Sequence, residues 1–171
     1  MTFEEVRQEL LELAKQENAC AYGYQQAENA KSHGELIKLI KGYISWCIKH
    51  KVATAKNLKK WFGVDFLKEN NVYITGAHEL QLTQQDTMIV VLGTAYVKIT
   101  ATHNREYSVI LGENSSAVAV VEKNTGLCIQ SYNSSIVSVL ARRNNYVSLS
   151  KFDESKAKVQ VVDEMATVTT N

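Results

Sequence analysis

The chain lacks several features that would have pointed to chemistry. No window approaches the ~20 consecutive apolar residues that cross a bilayer as a helix, so a helical membrane span is not expected. Cysteine is scarce: Cys20, Cys47 and Cys128 are far apart, with no CxxC or CxxH spacing. An odd count of scattered thiols suits buried cysteines in a reducing compartment, and zinc needs four gathered ligands. No metal site and no cofactor are therefore expected. The 8 glycines are scattered and form neither GxGxxG nor GxxxxGK[ST], which removes the common phosphate loops. The start, Met1-Thr2-Phe3-Glu4-Glu5, is acidic where a signal peptide is basic, and the expectation is a cytoplasmic protein.

What remains is ordinary globular composition, 45% apolar and 22% charged over 171 residues, with an uneven charge distribution. Net charge is −4 over residues 1–30, +7 over residues 31–60 and −2 over the rest. The basic segment is the strongest charge signal. Its candidate interaction residues are Lys49, Lys51, Lys56, Lys59, Lys60 and Trp61. Two short helices with lysines on their outer faces can lay cations along a phosphate backbone. Against this, lysine also complements helix C-terminal dipoles, and the segment can balance the acidic first helix. Arginine, the commonest base-reading side chain, is missing from residues 31–60.

Residues 1–70 read as a helical head. Thr2-Phe3-Glu4-Glu5 has the form of a capping box, followed by Phe3, Val6, Leu10, Leu13 and Ala14 at helical spacing. A weaker helix covers Ala19 to Ala30, lowered by Gly23. Ser32-His33-Gly34-Glu35 is a second capping box, opening a helix with an apolar stripe from Leu36 to Ile48 that ends near His50. Thr54 caps a short helix with Leu58, Trp61 and Phe62, and Gly63 closes it. Asp65 to Asn70 adds one more turn.

From Val72 the period changes from 3.6 to 2. Between Met88 and Val162 an apolar run and a polar break alternate roughly every ten residues. The breaks carry Gly93, His103-Asn104, Gly112-Glu113-Asn114, Asn124-Thr125-Gly126, Asn133-Ser134, Asn144-Asn145 and Asp153-Glu154, residue types that tolerate positive φ and hydrogen-bond turn backbones. Two architectures fit: a β-solenoid with residues stacked coil on coil, and an antiparallel meander or sandwich with hairpin loops at the breaks. Proline is missing entirely, which neither requires. Recurring valines (Val97, Val109, Val118, Val137, Val147 and Val159) read as a stacked ladder and favour the solenoid. The fold class is thus α+β: a helical head at 1–70, a β-solenoid-like body at 71–163 and a flexible tail at 164–171, which is loose or covers the last β edge.

Ala19-Cys20-Ala21-Tyr22-Gly23-Tyr24, Ile44-Ser45-Trp46-Cys47, Trp61-Phe62-Gly63, Asn71-Val72-Tyr73-Ile74 and Asn133-Ser134-Ser135-Ile136-Val137 together resemble a group of proteins from gut bacteria and their phages or mobile elements. That group pairs a helical head with an Asn/Val-rich β-helix repeat. The resemblance implies the same fold, and it carries no activity over to this chain. A mobile-element origin implies binding and inhibition of a host protein as one specific role.

Catalytic readings find little footing. A thiol–imidazole pair needs Cys20, Cys47 or Cys128 close to His33, His50, His78 or His103, and nothing in the spacing requires it. Glu4-Glu5, Asp153-Glu154 and Asp163-Glu164 are adjacent pairs at helix starts, turns or the terminus, whereas glycoside hydrolysis needs carboxyls facing each other across a sugar. His103-Asn104-Arg105 sits at an expected turn with no second His or carboxylate at a metal-binding interval. Tyr96, Tyr107, Tyr132 and Tyr146 fall beside the breaks and read as an outer ladder for protein or sugar contact. The expectation is a non-enzymatic interaction or assembly module with a protein partner or self-association and no membrane contact. Nucleic-acid binding through the Lys-rich helices and carbohydrate binding or processing on the β body are the alternatives.

Overall fold

The computed structural model describes residues 1–85, 87–142, 145–161 and 167–170. The chain divides into two compact units, Met1–Asn70 and Asn71–Asn171.

Residues 1–70, all of them described, form six helices: α1 (Phe3–Gln16), α2 (Ala21–Asn29), α3 (His33–Gly42), α4 (Ile44–Lys49), α5 (Ala55–Phe62) and α6 (Val64–Glu69). The expected capping box opens α1: the Thr2 hydroxyl accepts from the Glu5 N–H, and Glu5 accepts from the Thr2 N–H. The second box is only half made. Ser32 accepts from the Glu35 N–H, but the Glu35 carboxylate reaches one residue further back, to the Lys31 N–H at 2.8 Å. The single helix expected from Leu36 to His50 is broken into α3 and α4 at Tyr43 (φ −113°, ψ 21°), directly after Gly42, whose missing side chain weakens the helix there. Val6 and Leu10 of α1, Leu36, Ile37 and Ile40 of α3, Ile44 and Ile48 of α4, and Leu58 and Trp61 of α5 are buried. A ring cluster closes the α5–α6 corner, with Phe62 and Phe66 stacked at 5.6 Å and His33 edge-on to both.

The second unit is a β-solenoid of about four turns. Its strands are β1 (Val72–Tyr73), β2 (Ala77–Leu82), β3 (Met88–Val91), β4 (Tyr96–Ala101), β5 (Glu106–Leu111), β6 (Ser116–Val121), β7 (Gly126–Ser131), β8 (Ile136–Ala141), β9 (Tyr146–Lys151), β10 (Lys156–Val161) and β11 (Thr167–Thr170). Each pairs in parallel with the strand two places on, giving one sheet ordered β1-β3-β5-β7-β9-β11 and another ordered β10-β8-β6-β4-β2. The parallel pairing sets aside the antiparallel meander. Tyr96, Ser116, Ile136 and Lys156 stand in one register column, so a coil is two ten-residue strand-and-turn units. The expected tail contributes a strand, because β11 pairs with β9 and extends that sheet. Asn144, Val162 and the Asp163-Glu164 pair lie outside the described residues.

Inward residues alternate along each strand and interleave between the sheets. The even-numbered strands supply smaller ones (Ala101, Ala117, Ala119, Val137, Ala141) and the odd-numbered strands larger ones (Tyr107, Leu111, Leu127, Ile129, Leu149). The valines do not form one ladder. Val97 and Val137 flank Ala117 in one column, Val109 stacks on Ile129 and Val147 on Leu127 in the other sheet, and Val159 pairs in register with Val139. Val118 occupies an outward position between Lys98 and Ser138.

The turns explain the Asn-rich breaks. Gly93, Glu113, Asn133 and Asp153 all have φ between 56° and 63° and stack in a column. Within it Glu113 accepts from the Gly93 N–H, Asn133 Oδ1 from the Glu113 N–H at 3.0 Å, and Asp153 Oδ2 from the Asn133 N–H at 3.1 Å. Each turn thus caps the backbone of the turn one coil earlier. The last residue of the break is buried at Ala95, Ser115, Thr125, Ser135 and Asn145, and Ser115 and Asn145 donate to the coil before, to the Val91 and Val121 carbonyls.

Candidate functional site

The Lys-rich segment straddles α4 and α5. Lys49 lies in the last turn of α4, Lys51 follows with φ 55°, and Lys56, Lys59 and Lys60 lie on the exposed side of α5. Two groups of this region meet the acidic first helix. Lys60 Nζ contacts both Glu9 carboxylate oxygens at 2.7 and 2.6 Å, and His50 Nδ1 lies 3.1 Å from a carboxylate oxygen of Glu17, just past the end of α1. The charge asymmetry of the sequence is therefore partly met inside the head. Trp61 does not share the lysine surface. It is 2% exposed, because the α5 face that carries Leu58 turns it into the core. The five lysines are each exposed, and the aromatic residue expected beside them is buried.

The head also holds a cavity of about 290 Å³ that sequence reasoning missed. Leu10, Ala14, Ala27, Ile40, Tyr43 and Trp46 are among its lining residues. Several of its lining residues, Ala14, Ala19, Gly23 and Ala27, are small, which leaves space where leucine would fill it. Cys20, the N-cap of α2, lines it too and accepts from the Gly23 N–H at 3.4 Å. Cys47, also among the lining residues, is buried, and burial pushes its thiol up to about 12. In the β body, Cys128 is half-buried and its thiol is raised by burial and then by the Glu106 carboxylate. Cys47 is the small buried hydrophobe its sequence context suggested, whereas Cys128 occupies an outward, partly exposed position on β7.

Several histidines and carboxylates have local partners, while the buried Nδ1 of His103 has no hydrogen-bond partner. His33 belongs to the ring cluster, His78 Nε2 lies 2.8 Å from the Thr75 carbonyl oxygen, and the His103 carbonyl accepts from the Thr125 hydroxyl. Glu4 pairs with Arg7, Glu5 caps α1, and Asp153 belongs to the turn column. Among the described residues, no three His, Cys, Asp or Glu side chains gather as a metal site would need.

The outer faces of the solenoid differ. Outward positions are the first, third and fifth of each strand. On the β2–β10 sheet they place Tyr96 on β4, Val118 and Val120 on β6, and Ile136 and Leu140 on β8, next to one another. Ile136 is 50% exposed and Tyr96 39%. Lys98 lies within this face, on β4 in register with Val118, while Glu79 on β2 and Lys156 and Lys158 on β10 bound it. The β5–β11 part of the other sheet carries Ser108, Ile110, Cys128, Gln130, Tyr146, Ser148, Ser150 and Thr169 at corresponding positions, a more mixed set. The expected tyrosine ladder does not form. Tyr107 and Tyr132 are buried, the latter stacked on Phe152 at 4.5 Å, while Tyr96 and Tyr146 are exposed on different sheets.

Comparison of the chain with family models, with curated proteins and with solved structures finds no match.

Proposed function

We propose that this protein is a non-catalytic interaction or assembly module whose β body presents the outer face of the β2–β10 sheet to a protein partner. The observation that carries the reading is the apolar stripe formed by Tyr96, Val118, Val120, Ile136 and Leu140 across three adjacent strands. Single exposed apolar residues are normal, but a contiguous rigid patch rimmed by charge is the usual mark of a protein-binding surface. The backbone beneath it is held by parallel ladders on both sides of β4, β6 and β8, so docking orders few groups and costs little conformational entropy.

The test compares affinity capture from the native host by the wild type, by Ile136→Asp/Leu140→Lys and by Lys51→Ala/Lys56→Ala/Lys59→Ala, with captured proteins identified by mass spectrometry. Loss of the same partner in the sheet variant alone supports the reading. Unchanged capture by a folded sheet variant refutes it.

A further inference from the structure

β6 is the middle strand of the five-stranded β10-β8-β6-β4-β2 sheet, with two strands on either side. The outer face is chemically arranged around it. Val118 and Val120 occupy the centre. Tyr96 lies on one neighbouring strand, and Ile136 and Leu140 lie on the other. Beyond these, β2 places the Glu79 carboxylate outward, its side chain 80% exposed, while β10 places Lys156 and Lys158 outward. One end of the face therefore carries an exposed anion and the other a pair of cations. Lys98 approaches Glu79 at 3.3 Å, but both are well exposed. Such a pair contributes at most about 1 kcal/mol and holds Glu79 only loosely.

We propose that the partner of this face is a second copy of the same chain, seated by a two-fold axis parallel to the strands and passing over β6. The proposal rests on the interaction reading above and names its occupant. Rotation about that axis keeps strand direction and reverses the order of strands. β6 then lies on the partner's β6, β8 on the partner's β4 and β10 on the partner's β2. The first, third and fifth positions stay aligned. Val118 and Val120 meet their own copies, Ile136 meets the partner's Tyr96, and Lys158 meets the partner's Glu79. A self-complementary patch of this kind is what an isologous dimer needs.

Charge selects this axis over its rival. A two-fold axis along the stacking direction and over the third positions lays β10 antiparallel on the partner's β10, and Lys158 then faces its own copy, as Glu79 does on β2. Like charges brought together at a packed interface are unfavourable, whereas the first arrangement makes two opposite-charge contacts by symmetry. Area sets the strength. Strands of six residues at ~3.3 Å and five strands at ~4.8 Å give a planar footprint of roughly 450 Å² per copy. That is on the order of 1,000 Å² of accessible surface in total, at the small end for specific interfaces, so the dimer is expected to be weak and concentration-dependent.

Sedimentation velocity on the full chain, from low micromolar to several hundred micromolar, tests this. The wild type is expected to pass from monomer to dimer. Val118→Lys brings two cations together on the axis and is expected to weaken the dimer by more than about tenfold, as buried like charges do. Val118→Ser is the milder version should the first variant fold poorly, which circular dichroism checks. Glu79→Lys and Lys158→Glu, both at exposed positions, are each expected to weaken association about three- to tenfold by opposing like charges at the rim. Their combination restores opposite charges and is expected to return to within about twofold of wild type. A wild type that stays monomeric, a dimer indifferent to both Val118 variants, or single charge reversals that do not rescue each other would overturn the proposal. If the wild type is monomeric while the Ile136→Asp/Leu140→Lys variant still loses its captured partner, the interaction reading stands and the dimer alone is overturned. If capture is unchanged as well, both fall.

Discussion

Replacing Asn145 with alanine tests whether the turn asparagines hold the coils together. Asn145 is 3% exposed. Its Oδ1 accepts from the Thr125 N–H at 2.9 Å, and its Nδ2 donates to the Val121 and Arg142 carbonyls, each at 2.7 Å. One side chain thus ties its own turn to the coil before it. After truncation the Thr125 N–H has no acceptor in a site that is 1% exposed, and an orphaned buried donor costs ~1–3 kcal/mol. The Val121 carbonyl is less affected, because it keeps the Arg142 N–H at 3.1 Å and loses only its second bond, worth ~0.5–1.5 kcal/mol. The Arg142 bond is partly open to water and adds little. The expected destabilisation is about 2–3 kcal/mol, or roughly 10–20 °C in Tm for a unit of this size. Asn133→Ala removes a similar acceptor from the Glu113 N–H at a less buried turn, where water can substitute, so it is expected to cost about 1 kcal/mol or less. Urea unfolding followed by far-ultraviolet circular dichroism reads the difference. Tryptophan fluorescence follows residues 1–70 separately, because both tryptophans, Trp46 and Trp61, lie there. A loss within ~0.5 kcal/mol for Asn145→Ala, the range of ordinary surface substitutions, would refute the account of the turns.

Gly63 joins α5 to α6 at φ 75° and ψ 162°, a region essentially closed to other residues, so Gly63→Ala is expected to destabilise the head by ~1–3 kcal/mol even though open space surrounds the position. An unchanged Tm for that variant would show that the joint relaxes without cost. Cys47 predicts a pH dependence: its thiol is raised from 9.0 to about 12 by burial, so the folded state binds the proton more tightly than the unfolded one. That contribution is fully present below pH 9 and is lost as pH rises toward 12, with a slope of up to about 1.4 kcal/mol per pH unit. Urea midpoints across that range, compared with Cys47→Ala, should show a steeper fall in the wild type, and parallel profiles would contradict it. Short duplex DNA at low salt is expected to bind the wild type no better than Lys51→Ala/Lys56→Ala/Lys59→Ala. Fluorescence anisotropy showing tight binding that collapses with salt, and that the triple variant loses, would move the function to the lysine surface.

The parts of the fold that were legible in the sequence are those with local causes. Thr2, Ser32 and Thr54 each cap the helix they were expected to cap, because an N-cap acts within three residues. The break between α3 and α4 was not legible. The apolar stripe continues across Gly42 and Tyr43, and hydrophobic periodicity does not register a one-residue interruption of the backbone. Trp61 was misplaced for a related reason. Its lysine neighbours colour the segment, but a side chain's face is set by its position on the helix, and Trp61 lies three residues after Leu58 on the buried side. The head cavity left almost no signal, since it depends on how α1, α2 and α3 pack rather than on any one of them.

The same reasoning separates what a ten-residue rhythm can and cannot announce in a two-sheet solenoid. Every unit obeys one inward rule: second and fourth strand positions fill the core, and the last position of the break closes the turn. Architecture therefore repeats every ten residues and is visible in a single pass along the chain. Consecutive units, however, belong to opposite sheets, so each outer face is written in alternate units and its period is twenty. Tyr96, Ser116, Ile136 and Lys156 form one outer column, while Glu106, Gly126, Tyr146 and Thr167 form the corresponding column of the other sheet. Read consecutively, these residues alternate between the two columns and look like unpatterned turn-flanking positions. That is why the four tyrosines near the breaks suggested one ladder and why Val118 was counted with the core. Sorted by sheet, Val118, Val120, Ile136 and Leu140 fall together on one face, while the β7 and β9 part of the other carries mostly serine, glutamine and Cys128 at its third and fifth positions. Substitutions at Val118, Ile136 and Leu140 can change that one face while the inward rule, and so the coil, is left intact.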